Sequence, residues 1–97
     1  MYRLEAAEDI AAAFRWYEAQ SIGLGRDFER AVQAAGILIE TFPTAFPIAF
    51  DDVRRALTAR FPYMIYYRQF DQVTLEIVAC LHSSRDPSVI RARMSDA

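Results

Sequence analysis

The hydrophobic period of this chain changes once, from about 3.6 residues to about 2, and the change falls between Pro43 and Asp52. A sequence with that switch is committed to helices first and strands second. From about Glu5 to Gln20, Ile10, Phe14 and Tyr17 recur at helical spacing, with Ala7, Ala11 and Ala13 filling the same side. Glu5, Glu8 and Asp9 lie near the start, where negative charge favours the positive end of the helix dipole. Gly23-Leu24-Gly25 breaks the period. A second helix from about Arg26 to Glu40 carries Phe28, Val32, Ala35 and Ile39 down one stripe. Phe42-Pro43 stops it, because a residue before proline is driven out of the α region. Two such helices joined by a glycine-bearing turn form an antiparallel hairpin.

Pro43 to Asp52 reads as a packed connection anchored by Phe46, Ile48 and Phe50. Alternation then runs from Val53 to Phe61, with Val53, Arg55, Leu57, Ala59 and Phe61 on one side. Pro62 bends the chain, and Tyr63 to Arg68 is a second strand rich in β-formers. Phe70-Asp71-Gln72 suits a hairpin turn. Val73 to Leu81 is the third strand, with Val73, Leu75, Ile77, Ala79 and Leu81 inward. Asp86 can cap and Pro87 can open a last short helix, Ser88 to Met94. The expected fold is α+β with two layers: an N-terminal antiparallel helical hairpin packed on a three-stranded antiparallel β-meander, ending in a short helix. A short N-terminal strand at Tyr2–Leu4 is the one optional addition. The core should hold Ile10, Phe14, Phe28, Val32, Ile39, Leu57, Ile65, Leu75 and Ile77.

A chain of 97 residues supports one core, so residues 1–97 are expected to form a single domain. No apolar run approaches the roughly 18 residues a membrane helix needs, and no membrane partner is expected. The first residues, Met1-Tyr2-Arg3-Leu4-Glu5, lack an apolar signal core, which points to the cytoplasm. Cys80 stands alone and His82 is the single histidine, so neither a disulfide nor a Cys/His metal site is expected, and no cofactor. Residues 1–52 carry nine acids against four arginines, net −5, and residues 53–97 seven arginines against four acids, net +3. Every basic residue is Arg, which favours planar, partly desolvated carboxylate or phosphate partners unless codon usage alone explains it.

Several residues allow two readings. His82 is either a general acid or base or a strand-end residue bonded to the turn before Arg85. Arg54 and Arg60 share one strand face and Arg55 takes the other; target contact and an ordinary solvated face both fit. Arg85 and Asp86 either contact a target or pair locally to fix the last helix. Tyr17 follows the apolar stripe, which leaves Trp16 on the flank as a partner contact or a cover for the sheet edge. Tyr63, Tyr66 and Tyr67, with Arg68, either stack on bases or pack the strand. Cys80 reads as a small buried filler.

Along this scaffold, short segments resemble the RelE/ParE family of bacterial toxins: Ala7-Glu8-Asp9-Ile10, Trp16-Tyr17-Glu18, Gly23-Leu24-Gly25 with Phe28, Phe42-Pro43, Val53-Arg54-Arg55, Phe61-Pro62-Tyr63 into Tyr66-Tyr67, and His82-Ser83-Ser84-Arg85-Asp86-Pro87. The resemblance spans nearly the whole chain and is closest to the ParE-like branch. It departs at the N-terminus, where the family usually has a full first strand; either that strand is short here or the start codon is placed late.

The resemblance implies the toxin half of a type II toxin–antitoxin pair, held by a cognate antitoxin. Two activities occur in the family. The ParE-like branch poisons DNA gyrase without hydrolytic chemistry; the RelE-like branch cuts messenger RNA on the ribosome. The resemblance sets Met64 where the cutting branch typically has a central-strand cation and Ile90 where it often has a late aromatic acid/base. Arg85 matches a basic residue common to both branches, and Arg55 or Arg54 a strand lysine. In-line attack by a 2′-hydroxyl needs a base, an acid and a cation, and Arg is a poor base near neutrality. A pI near 5.3 also disfavours RNA. The expectation is therefore a gyrase inhibitor, the alternatives being a ribosome-dependent ribonuclease using His82 and Arg85 or a decayed binding module. Target contacts are expected among Arg54, Arg55, Arg60, Arg85, Arg91 and Arg93, and antitoxin contacts at Trp16 and Arg68. An acidic, amphipathic antitoxin tail would dock as a helix in a groove or as an added strand, on a free toxin that is a monomer or a dimer.

Overall fold

The computed structural model describes residues 1–95; the last two residues of the expected single domain lie outside the described residues. Helix α1 spans Leu4–Gln20 and α2 spans Leu24–Thr41. Four strands follow, β1 (Ile48–Phe50), β2 (Val53–Leu57), β3 (Tyr63–Gln69) and β4 (Leu75–His82), and then α3 (Ser88–Ser95). The strands form one antiparallel sheet in chain order. The architecture is the expected α+β arrangement with one more strand. That strand, β1, lies within the stretch read as a packed connection. Its hairpin with β2 turns at Asp51, whose φ of 48° is the left-handed value that tight β-turns demand. At the far edge, Tyr2 makes a single parallel bridge to Ile77, so the N-terminal strand is one residue of pairing before α1 begins.

The helical hairpin covers one face of the sheet. Phe28, Val32, Ile39, Ala56, Ile65, Tyr67 and Ile77 form its buried core, with Ile10 and Leu75 partly buried against it. Phe14 is half-buried. The rings of Phe28, Tyr17, Phe61 and Tyr63 interlock at centroid separations of 4.9–6.0 Å. Tyr67 is fully buried, and its hydroxyl donates to Pro43 O at 2.6 Å, tying the connection to β3. The turn between the helices is closed by Glu18, which accepts from Gly23 N at 3.0 Å and Gly25 N at 3.0 Å, doing for α2 what an N-cap side chain normally does.

Helix α3 does not join that layer. It packs on the opposite face, over a second cluster of Phe50, Val53, Tyr66, Val78, Ala79, Leu81 and the fully buried Ile90. The molecule therefore has a partial third layer where two were expected. Asp86 Oδ1 accepts from Ser88 N at 2.9 Å, the expected cap.

Four inward assignments differ from the expectation. Leu57 is 61% exposed, because the odd positions of β2 face the α3 side and α3 is too short to reach it; Ala56 takes the helix-facing place. In β4 an irregularity opposite Tyr66/Tyr67 inserts Val78, so Ala79 and Leu81 fall on the α3 face while Leu75 and Ile77 stay under the helices. Val73 is 93% exposed and belongs to the turn. β2 likewise ends at Leu57, four residues before Phe61. Thr58 is buried there, donating to Phe61 O at 2.9 Å.

Candidate partner-binding surfaces

The eleven arginines separate into those bound internally and those left in solvent. Arg93 reaches from α3 to Asp9 on α1 with two parallel bonds, Nη1 to Oδ2 at 2.7 Å and Nη2 to Oδ1 at 2.8 Å. Bonding to that carboxylate holds its pKa above the ordinary guanidinium value, against the burial that lowers it. Arg54 Nη1 donates to Phe46 O at 2.6 Å and to Thr44 O at 3.3 Å, pinning the connection before β1. Arg68 stacks on Phe70 at 4.5 Å and shares Glu76 with Arg3 at 3.6 and 3.5 Å. Three expected contact residues, Arg54, Arg68 and Arg93, thus already have partners inside the fold.

Arg55, Arg60, Arg85 and Arg91 are exposed. They do not form one patch. Arg55 lies on the α3 face of β2 opposite Tyr66, beside exposed Leu57 and half-buried Met64, which pair across β2 and β3. Arg91 lies at the other end of that face, its guanidinium 4.4 Å from the Phe50 ring centroid. Arg60 occupies the β2–β3 turn at φ 72°.

Arg85 belongs to a second surface. A cavity of about 290 Å³ opens between α1 and the end of β4, lined by Asp9, Trp16, Tyr63, His82 and Arg85 among others. It adjoins one of about 400 Å³ that shares Trp16, Tyr63 and His82 and adds Tyr17 and Pro62. Trp16 is 59% exposed, edge-on to Tyr17 at 5.1 Å, the flanking position its place beside the apolar stripe predicts. Arg85 and Asp86 form no ion pair.

His82 is bonded to the following turn. Its Nδ1 accepts from Ser84 N at 3.1 Å and sits 2.8 Å from Ser84 Oγ, and its ring meets Tyr63 edge-on at 5.5 Å. Accepting at Nδ1 corresponds to the neutral tautomer that carries its proton on Nε2. Cys80 is buried, and burial together with the Asp9 charge pushes its thiol up to about 12, so it offers no thiolate. Among the described residues no three His, Cys, Asp or Glu side chains come together as a metal site, and no helix is long and apolar enough to cross a membrane.

Sequence reasoning missed Asp9 and Glu18 as organisers. The signal for Asp9 was its spacing: with Ala6 and Ala13, both buried, it occupies one helix face, and an acid on a buried face must find a partner.

A known family covers most of this scaffold: the ParE toxin of type II toxin–antitoxin systems, parDE, matches residues 1–87. The chain belongs to the ParE toxin family. Among solved structures, "Chromosomal ParDE TA system from P. aeruginosa" is similar at a TM-score of 0.62 and 17% identity, over 84% of this chain and 90% of that one, a likeness of fold. No curated protein matches the chain. Met64 and Ile90, the two positions that the resemblance sets against cutting residues, are both apolar. Met64 is packed against the second cluster and Ile90 is completely buried in it.

Proposed function

We propose that this ParE-family toxin arrests growth as a non-hydrolytic inhibitor of DNA gyrase in the cytoplasm, and that a cognate antitoxin neutralises it. The observation that carries the reading is that Ile90 lies in, and Met64 packs against, one hydrophobic cluster, at the positions where by the resemblance the ribonuclease branch often has an acid/base and a cation. A proton-transfer catalyst must be within reach of its substrate, and Ile90 is neither polar nor accessible. What is left exposed, Arg55 and Arg91 on the α3 face with apolar Leu57, and Arg85 on the separate α1–β4 surface, suits binding to a protein or its DNA complex by charge and shape. Arg60 is a further target contact at the turn.

For the antitoxin, the groove between α1 and β4 has the chemistry of an anchor site. Trp16 offers a large exposed ring, and Arg85 offers a cation to an acidic segment. One observation favours the ribonuclease alternative: His82 and Arg85 line the same groove, a donor beside a phosphate clamp.

Expression of the chain alone should stop growth, and co-expression of the neighbouring reading frame should restore it. Normal growth with folded protein present would favour a decayed binding module. His82→Ala should leave toxicity nearly intact; loss of about 10²-fold or more, the usual effect of removing a general acid or base, would favour the ribonuclease.

A further inference from the structure

β4 is the longest strand and an edge strand, and such an edge is a template for another chain. Here its outward groups are taken, one after another, by three different segments. The N-terminal amine of Met1 donates to Leu75 O at 3.2 Å. Ile77 donates to Met1 O at 2.8 Å and accepts from Arg3 N at 2.9 Å, which is true strand pairing and shows that the edge accepts a strand. That pairing ends when α1 begins at Leu4. Beyond it, Arg93 Nη1 covers Val78 O at 3.4 Å, and Asp9 Oδ2 accepts from Cys80 N at 3.0 Å while holding Arg93 at 2.7 Å.

We infer that Asp9 and Arg93 act as a guard on β4, replacing the next strand with a carboxylate and a guanidinium so that the Val78–His82 edge cannot pair with β4 of a second copy. Two copies of an antiparallel edge pair naturally about a twofold axis, each presenting the same groups to the other. Asp9 suits the role because it satisfies the Cys80 N–H, a donor that an added strand would otherwise have to satisfy. Arg93 suits it because its fork keeps the carboxylate oriented and also brings in α3, whose Arg93 carbonyl is bonded by Arg3 Nη1 at 3.1 Å. The N-terminus, α1 and α3 are thereby joined on the same edge.

The test compares the full chain with Asp9→Ala and Asp9→Asn, reading amide exchange at Cys80 and molecular mass against concentration. Asp9→Ala should speed Cys80 exchange about 10- to 100-fold in dilute solution, as expected for losing a bond to a charged acceptor. Its mass should rise toward twice that of the wild-type species as concentration increases. Asp9→Asn, which keeps an oxygen for Cys80 N–H, should retain more protection than Asp9→Ala. Should Asp9→Ala fail to fold, Arg93→Leu carries the test, with Cys80 exchange above wild type and a concentration-dependent mass. Folded variants with wild-type mass at every concentration, or with Cys80 exchanging at the wild-type rate, would overturn the inference.

Discussion

Ile90→Ala should release α3 and lower the stability of the whole domain. Ile90 has no exposed surface, and its neighbours Val53, Tyr66, Val78 and Ala79 lie on paired strands that cannot close around a void. A truncation of this kind costs about 2–5 kcal/mol, and a rigid surround puts it near 3–4. Against a total stability of about 5–15 kcal/mol for a small domain, that is a large fraction. At roughly 4–8 °C per kcal/mol for a chain of this length, the melting temperature should fall by at least about 12 °C. Two sub-cases can be separated. Helix α3 has eight residues, well under the roughly 12–15 an isolated helix needs, so undocked it will unravel. If it detaches before the rest, its amides will exchange fast while those of β3 and β4 stay protected. Thermal melting with residue-resolved amide exchange measures both. An Ile90→Ala protein that melts with the wild type and keeps α3 protected would refute the reasoning, because the second cluster would then not depend on its central side chain.

Three further predictions concern the frame around the surfaces. At Gly25 an added Cβ would lie 2.8 Å from the Phe14 main-chain oxygen, which no rotamer change relieves; about 2–3 kcal/mol of overpacking less about 1 for better helix propensity leaves Gly25→Ala roughly 1–2 kcal/mol less stable in urea unfolding, and wild-type stability would show that α1 yields freely. Asp71 accepts from Val73 N and Thr74 N at 2.8 Å each, and these bonds hold its pKa below the usual value, so its contribution is present above the ordinary carboxylate range and is lost as pH falls through the depressed value. The melting-temperature advantage of wild type over Asp71→Asn should therefore shrink in acid, and a constant or growing advantage would contradict the assignment. Cys80 should resist alkylation in native protein near neutral pH and react on unfolding; rapid native labelling would contradict its burial.

The helical hairpin was legible because each helix carries its own period and its own stop, Gly23-Leu24-Gly25 and Phe42-Pro43, so nothing distant had to be known. The strands were harder. Alternation says that two faces exist but not which element covers each, and Leu57 was assigned to the core on the assumption that only one face is covered. With α3 on the other face, both parities of the sheet acquire a core, and a one-residue insertion at Val78 exchanges them along β4. No local pattern announces such a bulge in an unbroken apolar run. β1 was missed because three residues between prolines and a tight turn carry too little alternation to count. At the surfaces, residue type identified the exposed cations but not their partners. Arg93, Arg54 and Arg68 find theirs across the fold, at Asp9, Phe46 and Glu76, contacts that only tertiary structure creates. Trp16 was placed correctly by its position beside Tyr17, because helical spacing allows only one of the two to follow the stripe.

The most direct measurement sets purified protein against two targets in parallel: gyrase-dependent DNA supercoiling and cleavage, and translation of a reporter message. A ParE-like inhibitor with Ile90 buried in its second cluster and Met64 packed against it should block supercoiling or trap cleaved DNA while leaving the message whole. Ribosome-bound message cut at defined codons, with gyrase activity untouched, would contradict it.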